Sequence, residues 1–266
     1  MNRPDILAQI AEKVEARLAA RKAVISYDEL IKKKTRMPRD FTGQLRGGVK
    51  IIAEIKFRSP SQSESGHSST VENAVKIAGS YLSNGASALS VLTEEDHFNG
   101  SLKYLQAIRQ AYPDSFLLMK DFFVDEYQLQ EALVFGADCI LLIVALLEKD
   151  RLKALYKRAL QLGLSILVEV HNEGELQVAI ELGSKLIGVN NRNLKNLQIS
   201  LDTSRRLAKL APESAVLVCE SGIEKVSEIS EMSALGFSGF LIGTSLMKTN
   251  DPGKTLAGLL GELRAD

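Results

Sequence analysis

The sequence predicts a single α/β domain built as an eight-stranded parallel barrel, and three observations carry that expectation. Eight short apolar runs are spread along 266 residues. Helical patterns of roughly a dozen residues separate them, a regular alternation that argues for βαβ units. Six of the runs end on a polar or glycine residue on the inward side of its own alternation: Lys56, Lys120, Glu169, Asn190, Glu220 and Gly243. Strand side chains alternate faces, so Ile52, Glu54 and Lys56 share one face, as do Phe116, Leu118 and Lys120. In a closed barrel that face is the interior, and the last inward residue of each strand lies at the carboxyl-end mouth, where such barrels keep their chemistry.

The chain divides into an amino-terminal helical extension, residues 1–48, and a (β/α)8 barrel, residues 49–266. Residues 5–21 read as an amphipathic helix, with Ile6, Ile10, Val14 and Leu18 on one stripe. A second short helix follows at 27–33, then a loop at 35–48 with Pro38, Gly43, Gly47 and Gly48. The apolar stripe needs a surface, and two are open to it: one end of the barrel, as a plug, or the active mouth, as a cover.

The strands then read KIIAEIK (50–56), ALSVLT (88–93), FLLMK (116–120), CILLIV (139–144), SILVE (165–169), KLIGVN (185–190), AVLVCE (215–220) and GFLIG (239–243). Helices are expected at 71–84, 102–111, 126–135, 148–162, 173–182, 203–210, 224–235 and 252–264. Gly85, Gly136, Gly163 and Gly236 mark helix ends, where a left-handed residue caps the last turn and the next strand begins.

Length suits one domain of this size. The residues are 45% hydrophobic and 25% charged, with a formal net charge of zero and no basic stripe, which excludes an electrostatic footprint for nucleic acid. No run reaches the roughly 18 apolar residues of a membrane span, and the amino terminus has no signal-peptide core, so the expected place is the cytoplasm. Cys139 and Cys219 lie inside strand runs and read as buried reduced thiols. His67, His97 and His171 show no ligand spacing and read as surface residues, and no metal site is expected.

Lysine is rarely buried without a partner, so Lys56 and Lys120 on inward strand ends are either structural ion pairs or reserved for reaction. Glu54, Glu169 and Glu220 supply negative charge around the same mouth. Asp121 follows Lys120 and is expected to face away from it, in a structural role. The segments CESGI (219–223) and LIGTSLM (241–247) place glycines after the last two strands, where such barrels expose backbone amides to phosphate. Ser59 and Arg192 are candidate additional contacts to a phosphoester substrate.

At these residues the chain resembles the indole-3-glycerol-phosphate synthase family of tryptophan synthesis. IIAEIKFRSPS, ALSVLTEEDHFNGSLKYL, LLMKDFFVDEYQ, ILVEVHNEGEL, IGVNNRNL, VCESGI and FLIGTSLM are similar to its successive signatures, nearly from end to end. The resemblance implies a TIM barrel whose helical extension lies over the catalytic mouth. It implies a carboxyphenylamino deoxyribulose 5-phosphate that cyclises, loses carbon dioxide and then loses water, with no metal or organic cofactor. By resemblance Lys120 is the general acid toward the ribulose carbonyl, and Glu169 is a base or stabiliser of the cationic intermediate. Lys56 meets the substrate carboxylate, with Glu54 as its partner, while Asn190 and Glu220 orient substrate and lysines. Ser221 sits at the ligand; Ser59, Arg192, Gly222, Gly243 and Thr244 match the phosphate neighbourhood; Phe98 and Leu142 match apolar contacts to the aromatic ring. Oligomeric state is left between monomer and weak homodimer.

Two departures stand out. The loop QSESGHSSTVEN (62–73) is serine-rich and longer than the family pattern, and Met119 replaces a common arginine on a face directed away from the interior. Two rival readings are a different phosphate-binding barrel enzyme, which the pairing of EIK with MKDF disfavours, and a non-catalytic relative, which the complete set of reactive strand ends disfavours.

Overall fold

In chain order the elements are α1 (Ile6–Val24), α2 (Tyr27–Leu30), α3 (Phe41–Gln44), β1 (Lys50–Ile55), α4 (Val71–Ser83), β2 (Ala88–Leu92), α5 (Glu95–Phe98), α6 (Leu102–Ala111), β3 (Leu117–Lys120), α7 (Glu126–Phe135) and β4 (Cys139–Ile143). After a 3-10 turn at Val144–Leu146 come α8 (Lys149–Gln161), β5 (Ser165–Val170), α9 (Glu173–Glu181), β6 (Leu186–Asn190), α10 (Asp202–Ala208), β7 (Val216–Glu220), α11 (Val226–Ala234), β8 (Phe237–Ile242), α12 (Thr244–Met247) and α13 (Pro252–Ala265). The computed structural model describes residues 6–33, 35–59, 65–194 and 196–265. The expected helix start at Asp5 and the loop residues 60–64 lie outside them.

The eight strands close in sequence order, each parallel to its neighbours, with β8 returning to β1 through Lys50↔Gly239 and Ile52↔Leu241. This is the TIM-barrel topology, and the barrel strands and helices begin and end within one or two residues of their sequence patterns. Periodicity could not reveal α3, α5 and α12, because a single turn of helix has no repeat to detect.

Two apolar layers follow from the strand alternation. Ile52, Ala88, Leu118, Leu167, Leu186, Val218 and Leu241 fill the inside. Ile51, Ala53, Leu89, Leu117, Met119, Ile140 and Leu142 face the surrounding helices. Met119 therefore does point away from the interior.

The extension does two jobs at opposite ends. Phe41 and Leu45, fully buried, pack with Ala88, Leu186 and Val216 at the starts of their strands and plug the amino end. Asp40 caps α3 by accepting the Gly43 N–H at 2.8 Å, which sets the turn that aims both side chains inward. In contrast, α1 crosses the carboxyl end: Ile10, Val14 and Leu18 pack with Leu30, Val124 and Tyr127. Arg17 pairs with Glu94 at 2.7 Å and Arg21 with Glu131 at 3.0 Å. Among the described residues no helix is long and apolar enough to cross a membrane.

Candidate active site

A cavity of about 220 Å³ opens at the carboxyl ends of the strands, beneath Leu7 and Ile10 of α1. Lys56, Lys120, Glu169, Asn190, Glu220 and Gly243, the six inward strand ends, all line it, with Glu54 one layer deeper. Period-two alternation in six separate strands is what brings these side chains together.

Each lysine has its own carboxylates. Lys120 Nζ lies 3.2 Å from Glu169 Oε2 and closer still to Glu220 Oε2. Lys56 Nζ donates to Glu54 Oε1 at 2.9 Å and to Thr244 Oγ1 at 3.2 Å, and Ser90 donates to the other Glu54 oxygen at 3.3 Å. Burial alone pushes the Glu54 carboxyl up, but the ammonium groups of Lys56 and Lys120 outweigh it and hold it below its usual range. Glu169 is likewise favoured by burial to stay neutral, yet Lys120 and His171 hold it well below the carboxylate range. Burial opposes the charge on Lys120 too, but three surrounding carboxylates keep it firmly an ammonium. Glu220 is raised, by burial first and then by repulsion from Glu169 and Glu54, so of the three it takes up a proton most readily.

The loops after β6, β7 and β8 complete the wall. The Arg192 N–H donates to Asn190 Oδ1 at 3.0 Å, and its Nη1 donates to the Leu197 carbonyl at 3.2 Å. Leu197 takes a left-handed backbone (φ 62°) to make that turn. Ser221 and Gly222 are both left-handed, and Ser245 Oγ donates to the Ile223 carbonyl at 3.2 Å, tying the last two loops together. Ser59, Phe98, Arg192, Ser221, Gly222 and Thr244 all line the cavity.

Nearly the whole chain matches one protein family. Residues 4–259 match the family model described as indole-3-glycerol phosphate synthase. A relative of that name from Mycolicibacterium gilvum is 40% identical over 98% of this chain and 95% of its own, and one from Streptomyces griseus is 42% identical over 96% and 94%. The chain belongs to the indole-3-glycerol phosphate synthase family. It is a decarboxylating lyase of tryptophan biosynthesis, acting on a phosphorylated small molecule. Solved structures such as 3-hexulose-6-phosphate synthase from Salmonella typhimurium share the barrel alone (TM-score 0.64, 14% identity, 81% of this chain and 100% of that one).

Three expectations need correcting within this synthase fold. Leu142 does not line the cavity: it faces the helices, because the inward positions of β4 are Cys139, Leu141 and Ile143, and the last two form the wall. Asp121 does not face away from the site, since it lines the cavity, buried, accepting from Thr93 Oγ1 at 2.5 Å and from the Phe122 N–H at 2.8 Å. Its backbone leaves the strand after Lys120, so alternation no longer decides its direction. His171 is not a surface residue; it stands between Glu169 and Glu175.

Phe122 and Glu94 also line the cavity without having been singled out in the sequence. Phe122 follows the strand and packs its ring 6.3 Å from that of Phe98. Glu94 caps α5 by accepting three backbone N–H groups, from Asp96, His97 and Phe98, which holds Phe98 at the wall. The acidic first turn, Glu95 and Asp96, was the readable helix-start signal there. Both thiols, Cys139 and Cys219, are buried and unpaired with each other.

Proposed function

We propose that the two lysines divide the reaction between ring closure and substrate positioning. The observation that carries this is their separate pairing: Lys120 with Glu169 and Glu220, Lys56 with Glu54 and Thr244. The substrate is 1-(2-carboxyphenylamino)-1-deoxyribulose 5-phosphate. Its ring carbon bearing the carboxylate attacks the ribulose ketone, and Lys120 donates a proton as negative charge builds on the ketone oxygen. The new C–C bond leaves the ring cationic, next to the Glu169 carboxylate. Breaking the bond to the carboxylate releases carbon dioxide and restores the aromatic ring. Loss of hydroxide from the former ketone carbon and of a proton from the adjacent methylene then gives the indole.

Binding at both ends supports that closure. The phosphate is assigned to Gly222, Gly243, Thr244, Ser59 and Arg192, which line one cavity on the loops after β1, β6, β7 and β8. The substrate carboxylate is assigned to Lys56, with Asn190, Glu220 and Ser221 orienting the middle. The aromatic ring lies against Phe98, Phe122 and Leu141. Holding the two ends fixes the ring carbon near the ketone, which converts binding energy into orientation. The same reading takes the enzyme to be cytoplasmic and a monomer or weak homodimer, which sedimentation at micromolar concentration tests.

The deciding experiment is turnover of this substrate followed by indole fluorescence, in the parent and in Lys120→Met. The parent should produce indole glycerol phosphate, and the variant should keep substrate affinity while losing at least about a thousandfold in kcat. A loss below tenfold would remove Lys120 from the role of acid.

A further inference from the structure

His171 is held between two carboxylates, and no step above uses it. Its side chain is only 10% exposed, and Nδ1 lies 3.0 Å from Glu175 Oε2 while Nε2 lies 3.4 Å from Glu169 Oε1. The His171 backbone N–H donates to the same Glu175 oxygen at 2.8 Å. A neutral imidazole carries one N–H and one bare lone pair, so in either tautomer the bare nitrogen would face a carboxylate oxygen. Only the imidazolium presents a proton to both. Burial opposes that charge, but the two carboxylates outweigh it and lift the ring to about 10.

The clamp is anchored on its far side. Asn172, which caps α9, donates Nδ2 to Glu175 Oε1 at 2.6 Å and accepts the Glu175 N–H at 3.0 Å. A continuous line therefore runs from the first turn of α9 through Glu175 and His171 to Glu169, and on to Lys120. Glu169 has one cation at each oxygen, His171 at Oε1 and Lys120 at Oε2. His171 also adds a positive charge to those of Lys56, Lys120 and Arg192, against the carboxylates Glu54, Glu169 and Glu220. Among the described residues, the charged side chains in ion-pair contact with it are Glu169 from β5 and Glu175 from α9. The 3-10 turn Val144–Leu146, packed on both elements, has no ionisable side chain.

We propose that His171, as an imidazolium, is a positioning residue that fixes the plane of the Glu169 carboxylate and keeps it ionised for the cationic stage of the reaction. What Glu169 does there rests on the functional reading above; the charge of His171 does not. Its approach to Glu169 is an ion-pair contact rather than an aligned hydrogen bond, so it acts through charge and orientation.

Two measurements test this. Nitrogen-detected NMR of the imidazole in the unliganded, full-length protein, assigned with His171→Gln, should find both ring nitrogens protonated at pH 8. A ring that titrates near its ordinary value of about 6.5 would overturn the proposal. In turnover, His171→Gln and His171→Ala should both lower kcat about tenfold or more with KM changed less than about threefold, and both should move the acid limb of kcat upward by about one pH unit. An acid limb that stays in place would also overturn it. If the parent failed to turn over the substrate, the functional reading would fall, while the NMR titration would still decide the charge of His171.

Discussion

Gly188 leaves open the space that Glu220 fills: a β-carbon on Gly188 would stand 2.0 Å from Glu220 Oε1. Glu220 is almost wholly buried, and this oxygen has no hydrogen-bond partner among the described residues, while the other contacts Lys120. Gly243 does the same for Glu54, whose Oε1 would lie 2.7 Å from an added β-carbon. Two glycines on the inward face thus make room for two carboxylates in a layer that apolar side chains would otherwise fill.

Gly188→Ala should therefore act on catalysis through Glu220. The methyl group would push the carboxylate off Lys120, at a stability cost of about 1 to 3 kcal/mol from overpacking. We expect kcat to fall at least about tenfold with a smaller change in KM, because on the proposed reading Glu220 serves the reacting centre rather than the phosphate end. Steady-state kinetics on the folded variant checks this, and an unchanged kcat would refute it.

The glycines after the last two strands were expected for close approach of an anion, and here they separate. Gly222 has φ +86°, and an added β-carbon would meet Ile199 Cγ2 at 2.7 Å, so Gly222→Val should reshape the loop wall. Its main effect should be a rise in KM of about tenfold or more with kcat largely kept. Gly243→Val should instead lower kcat as well, since it collides with Glu54. Inorganic phosphate should compete with substrate in the parent. Equal kinetic profiles for the two variants, or no competition by phosphate at high concentration, would count against this phosphate site.

Much of this was legible because barrel strands obey a period of two. Lys56, Lys120 and Glu169 could be placed at one mouth from alternation alone. Legibility ended where the chain left the strands. Asp121 is the first residue beyond β3, where turn geometry and not alternation sets its direction, whereas His171, two residues past Glu169, keeps the parity of that inward position and was readable from it. Leu142 shows the converse: resemblance suggested a ring contact, while the alternation of Leu141, Leu142 and Ile143 already placed it outside. The choice between plug and cover was not readable either, because an apolar stripe states that a surface is needed and not which one. Phe41 and Leu45 took the amino end, leaving the mouth to α1.

Beneath α1 lies a pair of buried acids with a pH signature. Burial lifts Asp121 to about 6, and burial together with nearby Asp121 and Glu95 lifts Glu131 to about 7 despite Arg21. Unfolded, both return to about 4. Between about pH 4 and 7 the folded state thus holds protons that the unfolded chain releases, so this pair makes stability fall as pH rises through that window. Glu131→Gln should flatten the fall by about 1 to 3 kcal/mol, seen as a smaller drop in urea midpoint from pH 5 to pH 8. A drop as large as the parent's would show that Glu131 is ionised throughout.

Removal of residues 1–34 tests the cover. The plug residues Phe41 and Leu45 would remain, so the barrel should still close and keep its helix and strand content. Lost with α1 are Leu7 and Ile10 from the cavity wall and the partners of Glu94 and Glu131. Glu94 caps the turn that carries Phe98, so losing Arg17 loosens the aromatic wall as well as uncovering it. An open mouth also admits water to the lysines and carboxylates, which weakens each electrostatic contact there. We therefore expect KM to rise at least about tenfold, with a lower melting temperature and a smaller loss in kcat. The single variant Arg17→Ala should reproduce part of the KM effect without the truncation. If the shortened chain turned over substrate with unchanged constants, α1 would serve stability alone and the cavity wall would end at the barrel's own loops.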